Sequence, residues 1–171
     1  MKNIFQNKKG FSTFIAVIIA GSLTLVAFTV SKIVTRSIEF ANTGRNSQEA
    51  FFAADAGIEC AIYWDTKEDV SKFATSTSGA PITCAGVSMS SGTISGTSTA
   101  FRIGGGGDAN RTSTFGFVLN QGINPSNACV IVLVTKYYVG TTLMTKVSSY
   151  GYNNCDTSDK RRVERGLEVT Y

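Results

Sequence analysis

Three acidic side chains, Asp55, Glu59 and Asp65, lie close together in one segment. Paired carboxylates perform general acid–base chemistry, so these three residues are the first candidates for a catalytic site. We interpret all three as solvated carboxylates on the polar side of an amphipathic helix, where such residues are ordinary. The 171-residue chain contains no His, the commonest general base and metal ligand. We therefore expect no enzyme activity, no cofactor and no metal site.

Two other patterns could contact phosphate groups. Four consecutive glycines at 104–107 precede Asp108, but this run lacks the Lys and Ser/Thr of a P-loop, and no helical pattern follows it. We interpret it as a hairpin connection. The basic residues Lys160, Arg161, Arg162 and Arg165 could contact anionic surfaces or DNA, but neighbouring glutamates dilute their charge and the net charge of the chain is only +4. We interpret this basic run as a solvated strand edge.

Four cysteines are spread along the chain: Cys60, Cys84, Cys129 and Cys155. No two of them form a C-x-x-C pair, so a zinc site has little support. An even number of well-separated cysteines that follow an apolar segment predicts two disulfides in an oxidising compartment.

That apolar segment lies near the start of the chain. No charged residue occurs at 10–31, and the stretch 11–34 is long enough for a helix that crosses a bilayer. Lys2, Lys8 and Lys9 precede it, so we expect the N-terminus to stay in the cytoplasm and the bulk of the chain to cross the membrane.

The length and the flanks of this segment argue against two other kinds of apolar helix. A secretory signal peptide would have a shorter apolar core followed by a cleavage site, and a soluble core helix would not need basic flanks. A plain single-pass anchor fits the same features and stays open as an alternative.

The helical pattern continues past the apolar segment. Residues 35–66 contain no Pro, and the charged residues recur at helical spacing. An apolar stripe and a row of small residues follow at three- and four-residue steps. The stripe comprises Phe51, Ala54, Ile58 and Ile62, and the small row comprises Ala50, Ala54, Gly57 and Ala61. The small row would let a sheet or a neighbouring helix approach closely, and one helix from 11 to 65 would be on the order of 80 Å long.

Beyond the helix, several segments have the alternating apolar residues and the β-prone composition of strands. We predict a loop at 68–96 that is anchored through Cys84. Strands are predicted at 99–103, 113–119, 128–138, 142–152 and 163–171. Together these elements predict an α+β head at 67–171, in which a single helix packs on one face of an antiparallel sheet of four or five strands.

The predicted hairpin indicates how the cysteines pair. If its turn centres near Gly140, Cys129 falls opposite Tyr152, and Cys155 lies just past the end of the second strand. We therefore expect a Cys129–Cys155 disulfide. The pair that remains is Cys60–Cys84, which would tie the end of the helix to the following loop.

The junction before the apolar segment resembles the processing site of type IV pilin precursors. The sequence KKGFSTFI places Gly10 between a basic leader and an apolar helix that starts with Phe11. The resemblance implies that a prepilin peptidase cuts between Gly10 and Phe11, that residues 1–10 are a leader, and that Phe11 becomes N-methylated. It also implies that the helix 11–34 forms the core of a filament after leaving the membrane.

A second segment strengthens this resemblance. The sequence SQEAFFAADAGIECA at 47–61 is similar to the N-terminal region of PilX-type minor pilins. The likeness covers about the first 65 residues. It implies a minor pilin of a type IV pilus, anchored in the inner membrane with its head outside the cytoplasm and later displayed on the cell surface, where cell adhesion is one role. Its partners would be other pilins, the prepilin peptidase, the assembly platform and membrane lipid.

One position departs from the pilin pattern. Pilins usually carry Glu at the fifth residue of the mature chain, where this chain has Ile15. The difference resembles subunits at filament tips, including the K-type pseudopilins of type II secretion, whose heads usually carry a large helical insertion. We therefore expect a subunit of the tip or of the initiating complex. A pseudopilin and a stand-alone membrane-anchored binding protein are the alternatives.

Overall fold

The computed structural model describes six stretches of the chain. They are residues 9–67, 71–74, 81–89, 101–104, 112–120 and 127–171. The chain forms two compact units, Met1–Asn42 and Thr43–Tyr171, which are described separately below.

One helix, α1, spans Lys9–Thr66 and has 58 residues. It contains no Pro and few Gly, so nothing in its sequence interrupts the ladder of backbone hydrogen bonds. It ends where the sequence predicts. The backbone N–H of Lys67 donates to the carbonyl of Tyr63 (2.9 Å), and that of Lys72 donates to the carbonyl of Trp64 (3.2 Å), which satisfies two carbonyls of the last turn.

The described residues of the head form six strands in two antiparallel sheets. They are β1 (Ile82–Cys84), β2 (Val87–Met89), β3 (Thr112–Asn120), β4 (Asn127–Val139), β5 (Thr142–Tyr152) and β6 (Glu164–Thr170). The strands β3-β4-β5-β6 form a four-stranded sheet in chain order, and β1 and β2 form a separate hairpin. The α+β layout is therefore confirmed, and each end of the four long strands lies within one residue of its predicted place.

The hairpin of β4 and β5 has the predicted register. Val139 pairs with Thr142 across a two-residue turn, and Gly140 has a φ of 62° at the first turn position. Gly at that position is typical of a type II′ turn. At the other end Cys129 pairs with Tyr152, as the turn near Gly140 predicts.

Two strand predictions were incomplete. The region predicted as a loop at 68–96 contains the hairpin of β1 and β2, whose turn residues Ala85 and Gly86 have φ values of 50° and 76°. Positive φ at both positions is typical of a type I′ turn. Strands of three residues are too short for alternation to reveal them. Of the strand predicted at 99–103, the described part forms one bridge, between Arg102 and Thr114.

In the head, the second part of α1 packs on the four-stranded sheet through its small residues. Ala50, Ala54 and Ala61 are fully buried, and the hydroxyl of Ser149 donates to the carbonyl of Ala54 (2.7 Å). Of the large members of the predicted apolar stripe, Phe51 remains 45% exposed, whereas Ile58 is half-buried and packs against the core. The small row therefore forms the closest contact with the sheet, because only short side chains allow the helix backbone to come this close.

Candidate functional site

The predicted processing site lies at the beginning of α1. Gly10 and Phe11 belong to the first helical turn, and the side chain of Phe11 is exposed. Residues 1–8 of the predicted leader lie outside the described residues, and cleavage and methylation at this site stay predictions.

The first part of α1 exposes a large apolar surface. Fifteen large apolar side chains are exposed between Phe11 and Phe40. They are Phe11, Phe14, Ile15, Val17, Ile18, Ile19, Leu23, Leu25, Val26, Phe28, Val30, Ile33, Val34, Ile38 and Phe40. By length and composition this helix could cross a membrane, which is compatible with a single-pass anchor.

Three hydroxyl groups inside this apolar stretch are satisfied by the helix itself. The hydroxyls of Ser22, Thr24 and Thr29 each donate to the carbonyl three residues earlier, at 2.8 Å. Such bonds matter in a lipid environment, where no water replaces them. The first charged side chain after the stretch, that of Lys32, lies 5.4 Å from the centre of the Phe28 ring.

A buried polar cluster joins the end of α1 to the sheet of the head. The ammonium of Lys136 in β4 lies 2.5 Å from Oδ1 and 2.7 Å from Oδ2 of Asp65 in the last turn of α1. The same ammonium lies 2.7 Å from the hydroxyl oxygen of Thr145 in β5. All three residues are buried, so the helix, β4 and β5 are tied together by charged hydrogen bonds.

Two further residues complete the cluster. The hydroxyl of Tyr171 donates to Oδ2 of Asp65 (2.8 Å), and the hydroxyl of Ser71 donates to Oδ1. Ser71 Oγ also accepts the N–H of Phe73 (3.1 Å), whose buried ring stacks on Phe115. The cluster therefore also positions the segment that follows the helix.

The cluster sets the ionisation of its members. Burial would raise the pKa of Asp65, but hydrogen bonds from Lys136, Ser71 and Tyr171 outweigh it and lower the pKa below its usual value. Burial, together with the hydrogen bond to the Asp65 carboxylate, raises the pKa of Tyr171. Asp65 is thus held as a carboxylate and Tyr171 as a neutral phenol.

This cluster corrects one interpretation of the sequence. Asp55 and Glu59 are exposed, as expected, but Asp65 is buried and paired rather than solvated. A signal for the pair was present in the sequence. In β4 the helix-facing alternation of Val130, Val132 and Val134 continues to position 136, which places Lys136 among buried side chains, where it requires a partner.

The four cysteines form the two predicted pairs. Cys60 in α1 is bonded to Cys84 in β1, with Cα atoms 5.9 Å apart. Cys129 in β4 is bonded to Cys155, with Cα atoms 5.6 Å apart. The first disulfide holds the β1–β2 hairpin on the helix, and the second holds the connection after β5 on the sheet.

The basic run is partly engaged in contacts within the head. The guanidinium of Arg162 lies 3.7 Å from the centre of the Tyr152 ring, and Nε of Arg165 donates to the hydroxyl of Ser47 (2.8 Å). Lys160 and Arg161 are exposed. Of the glycine run only residue 104 is described, and Asp108 lies outside the described residues. Within the described stretches, no group of three or more His, Cys, Asp or Glu residues could hold a metal ion.

Comparisons with known proteins add no family assignment. No protein-family model, no curated protein and no solved structure matches this chain.

Proposed function

We propose that this chain is a minor pilin, a structural and assembly subunit of a type IV pilus that sits at the filament tip or in its initiating complex. The observation that carries the proposal is that two parts of α1 present different surfaces. Residues 11–40 expose fifteen large apolar side chains, whereas Ala50, Ala54 and Ala61 bury small side chains against the sheet of the head. A subunit that is anchored in lipid and then packs into a helical core needs these two surfaces.

The junction at Gly10 and Phe11 supports the same function. Cleavage there would leave the whole apolar stretch on the mature protein, beginning with Phe11, so the helix would remain available both for lipid and for other pilins. A single-pass anchor alone does not require a small residue between the basic leader and the apolar helix. The proposed partners are other pilin subunits, the prepilin peptidase, the assembly platform and membrane lipid.

A pseudopilin of type II secretion is the second candidate. The resemblance to K-type pseudopilins implies a large helical insertion in the head, but the described residues after Thr66 contain strands and no further helix. This observation favours the pilus subunit over the K-type tip pseudopilin.

Processing in a host with an active prepilin peptidase tests the proposal. We expect intact-mass analysis and N-terminal sequencing of the membrane-extracted protein to give a chain that starts at Phe11 and carries one additional methyl group. Replacement of Gly10 by a bulky residue should block the cut, whereas the same replacement at Gly21, in the middle of the apolar stretch, should not. A mature chain that still starts at Met1 would contradict the pilin proposal and would favour a stand-alone anchored protein.

A further inference from the structure

A surface groove of about 320 Å³ lies between α1 and the β1–β2 hairpin of the head. One wall is the helix surface from Ala56 to Trp64, and the other is the hairpin around Ala85. The Cys60–Cys84 disulfide joins the two walls covalently, so their separation is limited by a covalent bond as well as by packing.

The groove is lined by aromatic rings. Phe117 of β3 lies at its buried side, and the rings of Tyr63 and Trp64 lie on the helix side. The Trp64 ring is fixed, because its Nε1–H donates to the carbonyl of Thr83 (3.1 Å), and the Tyr63 ring lies nearly perpendicular to it with ring centres 5.3 Å apart. The face of an aromatic ring attracts cations through the quadrupole of the ring.

The groove also carries one negative charge without a positive counterpart. The carboxylate of Glu59 lines it one helical turn before Tyr63, and no Lys or Arg is among the described residues that line it. Within the described part of the chain, Glu59 has no ion-pair or hydrogen-bond partner.

We propose that this groove binds an alkylammonium group, with Glu59 as the counter-ion and Tyr63 and Trp64 as the aromatic contacts. Such a group occurs in the side chain of a lysine on a partner protein and in quaternary form in choline-type compounds. A carboxylate beside aromatic rings favours a cation over a neutral apolar group of the same shape. The inference does not depend on the pilus function, since it rests on the head alone.

Trp64 is the one Trp of the chain, so its fluorescence reports on this groove. The full chain in a non-ionic detergent is titrated with tetramethylammonium chloride or with n-butylammonium chloride, each replacing sodium chloride at constant ionic strength. We expect a saturable change in Trp64 fluorescence with a Kd in the millimolar range. A stronger response to n-butylammonium indicates a lysine side chain as the natural ligand, and a stronger response to tetramethylammonium indicates a quaternary ligand.

Variants separate this site from general electrostatics. Glu59→Gln should weaken binding by about fivefold, and Tyr63→Leu, which keeps apolar contact but removes the ring face, should also weaken it. Asp55→Asn is the matched control, because it removes an exposed carboxylate of the same helix outside the groove. The proposal is overturned if neither cation gives a saturable change, if neopentyl alcohol or n-butanol gives the same response, or if Asp55→Asn weakens binding as much as Glu59→Gln.

Discussion

The ammonium of Lys136 lies within 2.7 Å of both carboxylate oxygens of Asp65, and the two residues are 71 positions apart in the chain. Their side chains are only 8% and 3% exposed. A buried ion pair gains little over an apolar pair of the same size, because both charges lose their hydration. Removing one partner is different, since it leaves the other charge buried without compensation. Loss of one residue of the pair is therefore expected to lower the stability of the fold more than loss of both.

The first prediction separates these two cases. Lys136→Met should lower the free energy of unfolding by about 3–5 kcal/mol, because it leaves the Asp65 carboxylate buried without its cation. The double variant Asp65→Leu with Lys136→Met should lose clearly less. Urea unfolding of the oxidised, detergent-solubilised protein measures both. Equal losses in the single and the double variant would show that the lost stability does not come from an uncompensated charge.

The second prediction concerns acid stability. The pKa of Asp65 is lower in the folded protein than its ordinary value of 3.8, so the unfolded chain takes up the proton first as the pH falls. The contribution of Asp65 is thus complete above about pH 4 and is lost as the pH falls through the lower folded pKa. The stability difference between wild type and Asp65→Asn should stay constant from pH 7 to about pH 5 and shrink below about pH 4.

Urea unfolding at a series of pH values measures this difference. Asp55→Asn is the control, because it removes an exposed carboxylate of the same helix and should leave the acid profile of the wild type in place. A stability difference between wild type and Asp65→Asn that grows as the pH falls would reverse the assigned direction of the Asp65 pKa shift.

The third prediction compares the same substitution at two glycines of α1. A Cβ at Gly57 would lie 2.7 Å from Cγ2 of Val130 and 2.8 Å from Cγ2 of Val132, so Gly57→Ala should destabilise the head by about 1–3 kcal/mol through overpacking. A Cβ at Gly44 would meet nothing within 4 Å, so Gly44→Ala should stabilise the helix by about 0.5–1 kcal/mol. Thermal unfolding of both variants checks the opposite signs. Two changes of the same sign would contradict the close contact of α1 with the sheet.

These contacts also explain what the sequence could and could not predict. The strands β4 and β5 and their register follow from alternation and from the turn at Gly140, both of which are local features. The rotation of α1 about its own axis on the sheet is set by contacts between residues that are distant in the sequence. It decides that Asp65 faces Lys136 and that Phe51 faces solvent, and it depends on how closely the helix backbone approaches β5. The row of small residues on α1 was visible in the sequence and was the better guide to this contact than the row of large ones.

The fourth prediction concerns the disulfides. Non-reducing peptide mapping of protein taken from the cell envelope should recover Cys60 linked to Cys84 and Cys129 linked to Cys155. Replacing Cys129 and Cys155 together by Ser should cost about 3 kcal/mol, because the bond closes a loop with a sequence separation of 26 residues. Four free thiols in the envelope protein would contradict both the pairing and the location of the head outside the cytoplasm.

The last prediction concerns the place of this subunit in a filament, and it rests on the proposed function and on Ile15. After cleavage the new N-terminal ammonium of a pilin lies among apolar helices, where an unpaired charge is costly. A subunit with Glu at its fifth position supplies a counter-ion to its neighbour. This chain has Ile15 there, and no charged residue occurs at 10–31. It should therefore be a poor repeating unit and be tolerated best at the tip.

Quantitative mass spectrometry of sheared pili should find few copies of this protein per filament, and its loss should reduce the number of filaments more than their length. Ile15→Glu should increase its share in the shaft, because the new carboxylate lies one helical turn from Phe11 and can pair with the N-terminus of a neighbour. Ile19→Glu is the matched control, since it places the same charge one turn further along the exposed apolar surface, away from the N-terminus. If both variants enter the shaft equally, or if the wild-type chain is the dominant subunit, the charge at the N-terminus is neutralised in another way and the tip assignment is wrong.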